Sequence, residues 1–311
     1  MAFLVIKLGA LGDFVQALGP FSAIRNYHSE ARIVLLTTSP YKELAKASGF
    51  FDDIWTGGRP SIMNIYAWRN LRQCLIHGGF ERVYDLQTSD RSSFYRRLFW
   101  PCLVPEWSGI APNCSHPHDN PMRNTMHTIE RQAEQLEVAG ITSIPFPDLS
   151  ALDIENLDSR TKFGLISDYV LLSPLGSARR PRKRWPLSCY AELAKRLSYK
   201  GLMPVLLGTN EERAIINKII VECPEANNLA GKTSLLDLVS LGFGAKAAVG
   251  NDTGPMHIIS LTGCSSVVLF SNDSKPALCG QRGAAVTFLQ RDEMMKIKVD
   301  DVIDALSFSS L

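Results

Sequence analysis

Residues 2–13 read Ala-Phe-Leu-Val-Ile-Lys-Leu-Gly-Ala-Leu-Gly-Asp. The apolar run in residues 2–7 predicts a buried strand, and Gly9 and Gly12 allow a tight turn that leads into a helix. A dinucleotide-binding turn would need a third glycine here and an acidic residue after the second strand, which instead ends in Thr37-Thr38-Ser39. The segment therefore predicts the start of an α/β domain and disfavours a nicotinamide-dependent dehydrogenase.

The same alternation of short apolar runs and amphipathic segments continues along the chain and restarts after residue 165. Strands are predicted at residues 2–7, 32–37, 82–86, 169–173, 203–207, 246–249 and 265–270. Helices are predicted at residues 62–76, 187–200, 210–221, 234–242, 254–262 and 299–308. A less regular stretch, residues 141–158, separates the two series as a linker. We therefore expect two α/β, Rossmann-like domains, residues 1–155 and 156–311, whose parallel sheets face each other across a cleft.

Composition narrows the classes of partner. The 311 residues include 33 Lys and Arg against 31 Asp and Glu, a net charge of +2, which argues against binding nucleic acid through the whole surface. The N-terminus lacks the features of a signal peptide, and no stretch approaches the roughly 18 apolar residues of a membrane span. The seven cysteines are scattered and form no Cys-x-x-Cys pair, which favours free thiols in a reducing cytoplasm. No Asp-x-Asp occurs that could hold a nucleotide through a divalent metal.

Asp13 is the most informative residue of the first turn. A carboxylate at the start of a helix is most often an N-cap or a partner of the helix dipole. The alternative is a general base, because open α/β sheets bind their ligands at the carboxyl ends of the strands. Both roles are compatible, since a capping bond would fix the orientation of the carboxylate.

A basic run follows the first strand of the second domain. Residues 179–184 read Arg-Arg-Pro-Arg-Lys-Arg, five cations in six positions, and the strand before them ends at Ser173 in a Ser-Pro-Leu-Gly-Ser turn. A basic run is most often a solvated loop. Here its position at a strand end, with hydroxyl groups and a glycine amide, suits a pyrophosphate group.

A second polar segment, Gly250-Asn-Asp-Thr-Gly-Pro-Met-His257, follows a later strand and begins the next helix. Pro255 fits the first helical turn, where its missing N–H group costs nothing. The amides around Thr253 and Gly254 would then point towards an anion at the positive end of the helix dipole. Asp252 adds a polar group at the same point, and so does His257.

Together these motifs resemble glycosyltransferase family 9, the ADP-heptose:lipopolysaccharide heptosyltransferases and their relatives. The resemblance rests on Lys-x-x-x-Leu-Gly-Asp at residues 7–13, Lys-x-Trp-Pro at residues 183–186 and the segment at residues 250–257. It implies a GT-B fold and an inverting, metal-independent transfer without a cofactor. The implied substrates are a nucleotide sugar, ADP-heptose, and an anionic glycolipid or glycan acceptor of the lipopolysaccharide-core type. An enzyme of this kind is expected in the cytoplasm, with a peripheral contact to the inner membrane left open.

The resemblance also assigns roles to residues. Asp13 would be the general base, Lys183 would hold the diphosphate, and Thr253 and Gly254 would donate backbone amides to it. Asp252 and His257 would meet the donor sugar or a phosphate. An acidic residue contacting the nucleoside is expected just after Gly208, where Asn210 and Glu211 compete for the role.

On the acceptor side, the first-domain motifs are weaker. Gly12 beside Asp13 is expected to contact the acceptor through its backbone. Arg91, Arg96 and Arg97 follow a predicted strand end, and we expect them to meet an anionic acceptor unless they form only an exposed helix face. Two other functions stay open at this point: a nucleotide-sugar-binding protein without turnover, and a sugar-nucleotide epimerase of GT-B shape.

Overall fold

The computed structural model describes residues 1–154, 157–176 and 180–306. The chain divides into two compact units, Met1–Asp153 and Ile154–Leu311. Among the described residues, no helix is long and apolar enough to cross a bilayer.

The first unit contains six strands and six α-helices among its described residues. The strands are β1 (Ala2–Ile6), β2 (Arg32–Leu36), β3 (Asp53–Trp55), β4 (Arg82–Asp85), β5 (Glu106–Gly109) and β6 (His116–Pro117). The helices are α1 (Leu11–Gln16), α2 (Leu18–Tyr27), α3 (Lys42–Ala47), α4 (Ile65–His77), α5 (Asp90–Tyr95) and α6 (Thr128–Val138). Short 3-10 turns cover Ser39–Tyr41, Arg96–Phe99 and Arg123–Thr125. The strands form one parallel sheet in the order β3-β2-β1-β4-β5-β6.

The second unit repeats this plan. Its strands are β7 (Tyr169–Ser173), β8 (Met203–Leu206), β9 (Asn227–Asn228), β10 (Ala247–Asn251), β11 (Ser266–Phe270) and β12 (Val286–Gln290). Its helices are α7 (Ser159–Lys162), α8 (Leu187–Tyr199), α9 (Arg213–Glu222), α10 (Leu235–Gly244), α11 (Gly254–Leu261), α12 (Pro276–Cys279) and α13 (Val299–Ala305), with 3-10 turns at Pro181–Lys183 and Met294–Lys296. The sheet is again parallel, in the order β12-β11-β10-β7-β8-β9.

Numbered within its own unit, each sheet therefore has the order 3-2-1-4-5-6, which is the Rossmann order. The central strands are apolar because helices cover both faces of a parallel sheet, and β7, β10 and β11 are buried along their whole length. Each fully buried Val or Leu side chain contributes about 1.5–3 kcal/mol relative to the exposed state. The prediction of an α/β fold with parallel sheets is confirmed.

Candidate functional site

The topology brings the predicted polar residues to one position in each sheet. Strand order reverses between β1 and β4 in the first sheet and between β7 and β10 in the second. Ile6 pairs with Asp85 at the first of these points, and Gly250 pairs with Ser173 at the second. Open α/β sheets bind ligands at the carboxyl ends of strands where the order reverses.

In the first unit, a strained turn carries Asp13. Gly9 has φ +108°, and a Cβ atom there would lie 2.5 Å from the hydroxyl oxygen of Tyr41, so only glycine suits this position. The N-cap of α1 is Ala10, and Asp13 is the third residue of the helix, after the buried Gly12. The N-cap interpretation of Asp13 is therefore wrong, whereas its position in the first turn fits the alternative of a partner of the helix dipole. The half-buried Asp13 carboxylate accepts no hydrogen bond from any residue that the structure describes, and it remains available to a ligand.

Two buried ionisable groups lie near Asp13 at the ends of the central strands. The Lys7 ammonium donates to the carbonyl oxygen of Leu86 at 2.9 Å. Burial lowers the pKa of Lys7 to about 8, and the negative charge of Asp13 opposes this shift. Asp85 accepts hydrogen bonds from the amides of Gln87 and Thr88, but burial raises its pKa to about 7. Its other carboxylate oxygen is buried without a partner within the described part of the chain.

Two arginines that the sequence analysis missed belong to the same charge group. Arg123 and Arg131 both depress the pKa of Lys7, and Arg131 contributes to lowering the pKa of Arg123, after burial as the main cause. Arg131 lies on α6, which packs on α1, the helix of Asp13. Gln135, one turn further along α6, donates to the carbonyl oxygen of Asp85 at 3.0 Å. Neither arginine forms an ion pair with a carboxylate among the described residues, and the nearby Asp85 charge opposes the lowering of the Arg123 pKa by burial.

The arginines predicted to meet the acceptor donate to main-chain carbonyl groups in the structure. Arg91 donates to the carbonyl oxygen of Pro60 at 3.0 Å, and Arg96 donates to that of Asn113 at 2.9 Å. Both side chains are half-buried, so the exposed-helix alternative does not describe them. Arg97 is exposed.

In the second unit, Asn251 fastens the basic segment to the end of the sheet. Its side-chain oxygen accepts from the amide of Trp185 at 3.0 Å and from the hydroxyl of Tyr190 at 3.2 Å. Its amide group donates to the carbonyl oxygen of Pro174 at 2.8 Å. The indole of Trp185 donates to the carbonyl oxygen of Ile297 at 2.9 Å. These buried contacts account for the Trp at the end of the basic run, and Pro186 after it is the N-cap of α8. Ser177 and Arg179 lie outside the described residues.

Lys183 and Asp252 form an ion pair at the point where β7 and β10 meet. The ammonium lies 2.8 Å from a carboxylate oxygen, and the two side chains are 12% and 9% exposed. Gln281 donates to the other oxygen of Asp252 at 3.2 Å. The hydroxyls of Ser173 and Thr253 lie 3.2 Å apart beside this pair. The structure thus brings together four of the predicted donor residues.

The N-terminus of α11 begins at the same place. Thr253 is its N-cap, and its side chain makes no capping bond, so it does not occupy the first amides of the helix. Pro255 lies in the first turn, and His257 is buried there. Gly176 packs closely against Thr253. A Cβ atom at Gly176 would lie only 2.7 Å from the Thr253 methyl group. An ammonium and free amides converging at one point form an anion-binding arrangement.

The residues after Gly208 differ in their contacts and in their exposure to solvent. Glu212 folds back to accept from the amide of Thr209 at 2.8 Å and serves as N-cap of α9. Asn210 packs over Gly231, which has φ +73°. Glu211 is exposed, and hydrogen bonds from its own amide and from Thr209 lower its pKa. Of these three residues, Glu211 is the one whose carboxylate faces solvent. Within the described ranges, no group of three or more His, Cys, Asp or Glu side chains is placed to hold a metal ion.

Comparison with known proteins agrees with this geometry. The family model for glycosyltransferase family 9 (heptosyltransferase) matches residues 68–296. Lipopolysaccharide heptosyltransferase 2 of Escherichia coli (strain K12) is 27% identical over 237 residues, which are 66% of this chain and 64% of that protein. The chain thus aligns with somewhat less than two thirds of that relative's length.

Two solved structures share the fold over nearly the whole chain. The structure of Escherichia coli ADP-heptose lipopolysaccharide heptosyltransferase II has a TM-score of 0.81 at 21% identity, covering 98% of this chain and 97% of that one. The family 9 glycosyltransferase from Veillonella parvula DSM 2008 has a TM-score of 0.82 at 19% identity, covering 98% and 95%. With the family model matching well over half of its residues, this chain belongs to glycosyltransferase family 9.

Proposed function

We propose that this chain transfers heptose from ADP-heptose to an anionic glycolipid or glycan acceptor of the lipopolysaccharide-core type, with inversion at the anomeric carbon and without a metal. The observation that carries the proposal is the buried Lys183–Asp252 pair beside the uncapped N-terminus of α11. This arrangement suits the diphosphate of a nucleotide sugar. The names of the relatives, lipopolysaccharide heptosyltransferase 2 among them, support the choice of donor and acceptor.

In this proposal the second unit binds the donor. Lys183 neutralises the diphosphate, Thr253 and Gly254 donate amides to it, and Ser173 donates its hydroxyl. Asp252 keeps the ammonium of Lys183 in place, and the Asp252 and His257 side chains border the donor sugar. The exposed Glu211 contacts the nucleoside, where ribose hydroxyls can donate to its carboxylate. When the bond to the anomeric carbon breaks, negative charge develops on the diphosphate, and the cation and amides stabilise it.

The first unit supplies the base and binds the acceptor. Asp13 accepts the proton of an acceptor hydroxyl, whose oxygen then attacks the anomeric carbon as the diphosphate leaves from the opposite side. The absence of a hydrogen bond to the Asp13 carboxylate among the described residues suits this role. Gly12 contacts the acceptor through its backbone in the same turn.

The anionic group of the acceptor is assigned to Arg123 and Arg131. They carry positive charge close to Lys7 without a paired carboxylate in the described chain, and Arg123 donates to a ring nitrogen of His118 at 3.2 Å. Arg91 and Arg96 donate to main-chain carbonyl groups. A carboxylate or phosphate would relieve the repulsion between the two guanidinium groups. We therefore place Arg91 and Arg96 in support of the acceptor loops rather than in direct contact.

The site is proposed to face the cytoplasm, with the enzyme in peripheral contact with the inner membrane that holds a glycolipid acceptor. The free thiols of all seven cysteines are compatible with a reducing compartment.

The decisive experiment compares Asp13→Asn and Asp13→Ala with the wild type. Both variants should bind ADP-heptose normally in calorimetry and lose transfer to the acceptor by at least a hundredfold, since a general base contributes about 10²–10⁴ in rate. Wild-type transfer rates in both variants would remove Asp13 from the mechanism. Donor converted without any acceptor would indicate an epimerase, and donor bound without any turnover would indicate a binding protein. Loss of transfer on adding EDTA would contradict a metal-free reaction.

A further inference from the structure

A continuous group of apolar side chains points into solvent in the loop after β3 and the first turn of α4. Ile62, Met63, Ile65 and Tyr66 are 79%, 88%, 62% and 84% exposed. We refer to these four residues as the 62–66 patch. Single exposed apolar residues are normal on protein surfaces, but adjacent large ones mark a contact with a partner or a membrane.

The local structure holds this patch outward. Asn64 is the N-cap of α4, and its side chain accepts from the amide of Ala67 at 3.0 Å. The indole of Trp68 donates to the carbonyl oxygen of Ser61 at 3.0 Å, which ties the loop to the helix. The outward direction of the four side chains is therefore built into the capped turn.

Asp and Glu residues are absent from the chain segment that carries the patch, whereas the exposed Asp90 lies on the neighbouring α5. Residues 54–80 contain no Asp or Glu, but they contain Arg59, Arg69 and Arg72. Arg59 and Arg69 are exposed, and neither forms a hydrogen bond or ion pair with the residues that the structure describes. Residues 91–105 likewise contain no acid, and the exposed Arg97 lies among them. A partner that complements the charge of these arginines would be negatively charged.

A second exposed segment adjoins the patch. Arg72 of α4 donates to the carbonyl oxygen of Trp100 at 2.8 Å. Trp100 and Leu103 are 75% and 93% exposed. Exposed Trp, Ile and Leu side chains with arginines between them are typical of surfaces that lie at the lipid–water boundary.

The patch lies at the edge of the first sheet that carries Asp13. The loop after β3 and the turn after β1 both leave the carboxyl ends of parallel strands. Tyr95 donates to the carbonyl oxygen of Gly58 at 2.6 Å, and Arg91 donates to that of Pro60, so this loop is also fastened to α5, which follows β4. A surface bound to the patch would therefore lie on the acceptor side of the unit.

We propose that the 62–66 patch, with Arg59 and Arg69, docks this protein onto an anionic phospholipid bilayer. The apolar side chains enter the boundary between headgroups and acyl chains, and the guanidinium groups contact lipid phosphates. This inference rests on the proposed function in one respect: docking would bring the enzyme to its acceptor if that acceptor is a glycolipid held in the membrane. The alternative occupant of the surface is a second copy of the chain.

The test is flotation of the full chain with vesicles of phosphatidylcholine mixed with phosphatidylglycerol, and of phosphatidylcholine alone, without donor or acceptor. The wild type should bind the anionic vesicles, less so as salt is raised. Ile62→Ser/Met63→Ser should lower the partition coefficient at least tenfold. Arg59→Gln/Arg69→Gln should lower it about fivefold for each arginine, since each contributes about 1 kcal/mol near an anionic surface. Both Ile62 and Met63 are exposed, so folding is retained.

The matched control is Tyr199→Ser/Val221→Ser, which removes side chains 90% and 82% exposed in the second unit and should bind like the wild type. Equal binding by wild type and the Ile62→Ser/Met63→Ser variant would overturn the proposal. So would self-association, seen by sedimentation, that this variant abolishes while vesicles bind no form of the protein. Transfer to a short water-soluble acceptor should be unchanged in the variant, so failure of the proposed transferase activity and failure of the docking are read separately.

Discussion

Replacement of Lys183 by alanine tests the donor site most directly. A charged hydrogen bond to a phosphate contributes about 1.5–3 kcal/mol, which corresponds to a rise of about 10- to 150-fold in the dissociation constant. In this site the loss should fall in the upper part of that range. Removing Lys183 leaves the carboxylate of Asp252, itself only 9% exposed, with the side-chain amide of Gln281 at 3.2 Å as its remaining hydrogen-bond donor among the described residues. This negative charge would then repel the diphosphate.

The repulsion has a signature in a double-mutant cycle. If Asp252 acts by its charge, Lys183→Ala/Asp252→Asn should bind ADP more tightly than Lys183→Ala alone. With the Asp252→Asn single variant the cycle is complete, and its coupling energy should be about 0.5–3 kcal/mol. Isothermal calorimetry with ADP in a metal-free buffer measures both values. Lys195→Ala is the matched control, because Lys195 pairs with Glu222 at 3.0 Å in the same unit and should leave the affinity unchanged.

Two results would refute this reasoning. Affinity of Lys183→Ala within twofold of the wild type would show that the ammonium does not hold the diphosphate. A double variant no tighter than the single variant would show that the Asp252 charge is not felt by the ligand, even if Lys183 contacts it.

Three further predictions concern the proposed catalytic base and two groups of buried polar residues, around Asn251 and Asp85. Asp13→Asn should reduce transfer at least a hundredfold with unchanged donor affinity, as measured by single-turnover kinetics and calorimetry. Asn251→Ala should lower the free energy of unfolding by about 3–5 kcal/mol in urea titrations, because three buried groups lose their partners, whereas the exposed Asn272→Ala should change it by less than about 0.5 kcal/mol. Because burial raises the pKa of Asp85 to about 7 from an ordinary 3.8, the folded state binds the extra proton, and the free energy of unfolding should fall as pH rises from about 4 to about 7. Asp85→Asn should remove that slope in urea titrations across the same window.

Each of these has a contrary outcome. A Asp13→Asn variant that transfers normally would place the base elsewhere. An Asn251→Ala variant as stable as Asn272→Ala would mean that water replaces the lost bonds. A slope between pH 4 and 7 shared by the wild type and Asp85→Asn would assign it to other groups.

The strands that the sequence predicted are the central ones, because their burial on both faces leaves a continuous apolar run such as Tyr169–Ser173. The strands missed are short or partly exposed. Asp53–Trp55 and Glu106–Gly109 contain acidic residues, and Val286–Gln290 lies at a sheet edge with three of its five residues exposed. An edge strand needs only one neighbour, so its pattern is weak.

Candidate site residues could be proposed from the sequence where a motif follows a strand, as for Asp13, Lys183 and residues 250–257. Their contacts were not predictable, because the pairing of Lys183 with Asp252 depends on β7 lying next to β10, which local sequence does not encode. Arg123 lies in an irregular segment rich in Pro and Asn, where no periodicity marks it. Lys7 is a cation directly after a buried strand, and this position could have marked it as a candidate site residue. Its significance depends on its burial, which the sequence does not show.

The buried hydrogen bonds of the Asn251 side chain affect the thermodynamics of donor binding. A loop that orders only around its ligand loses conformational entropy at that moment, at a cost of roughly 1–2 kcal/mol for each residue whose backbone becomes fixed. The amide of Trp185 and the carbonyl of Pro174 are already held by one buried side chain before any ligand arrives. The cation that precedes Trp185 is therefore preorganised, and more of its attraction for a diphosphate is expressed as affinity.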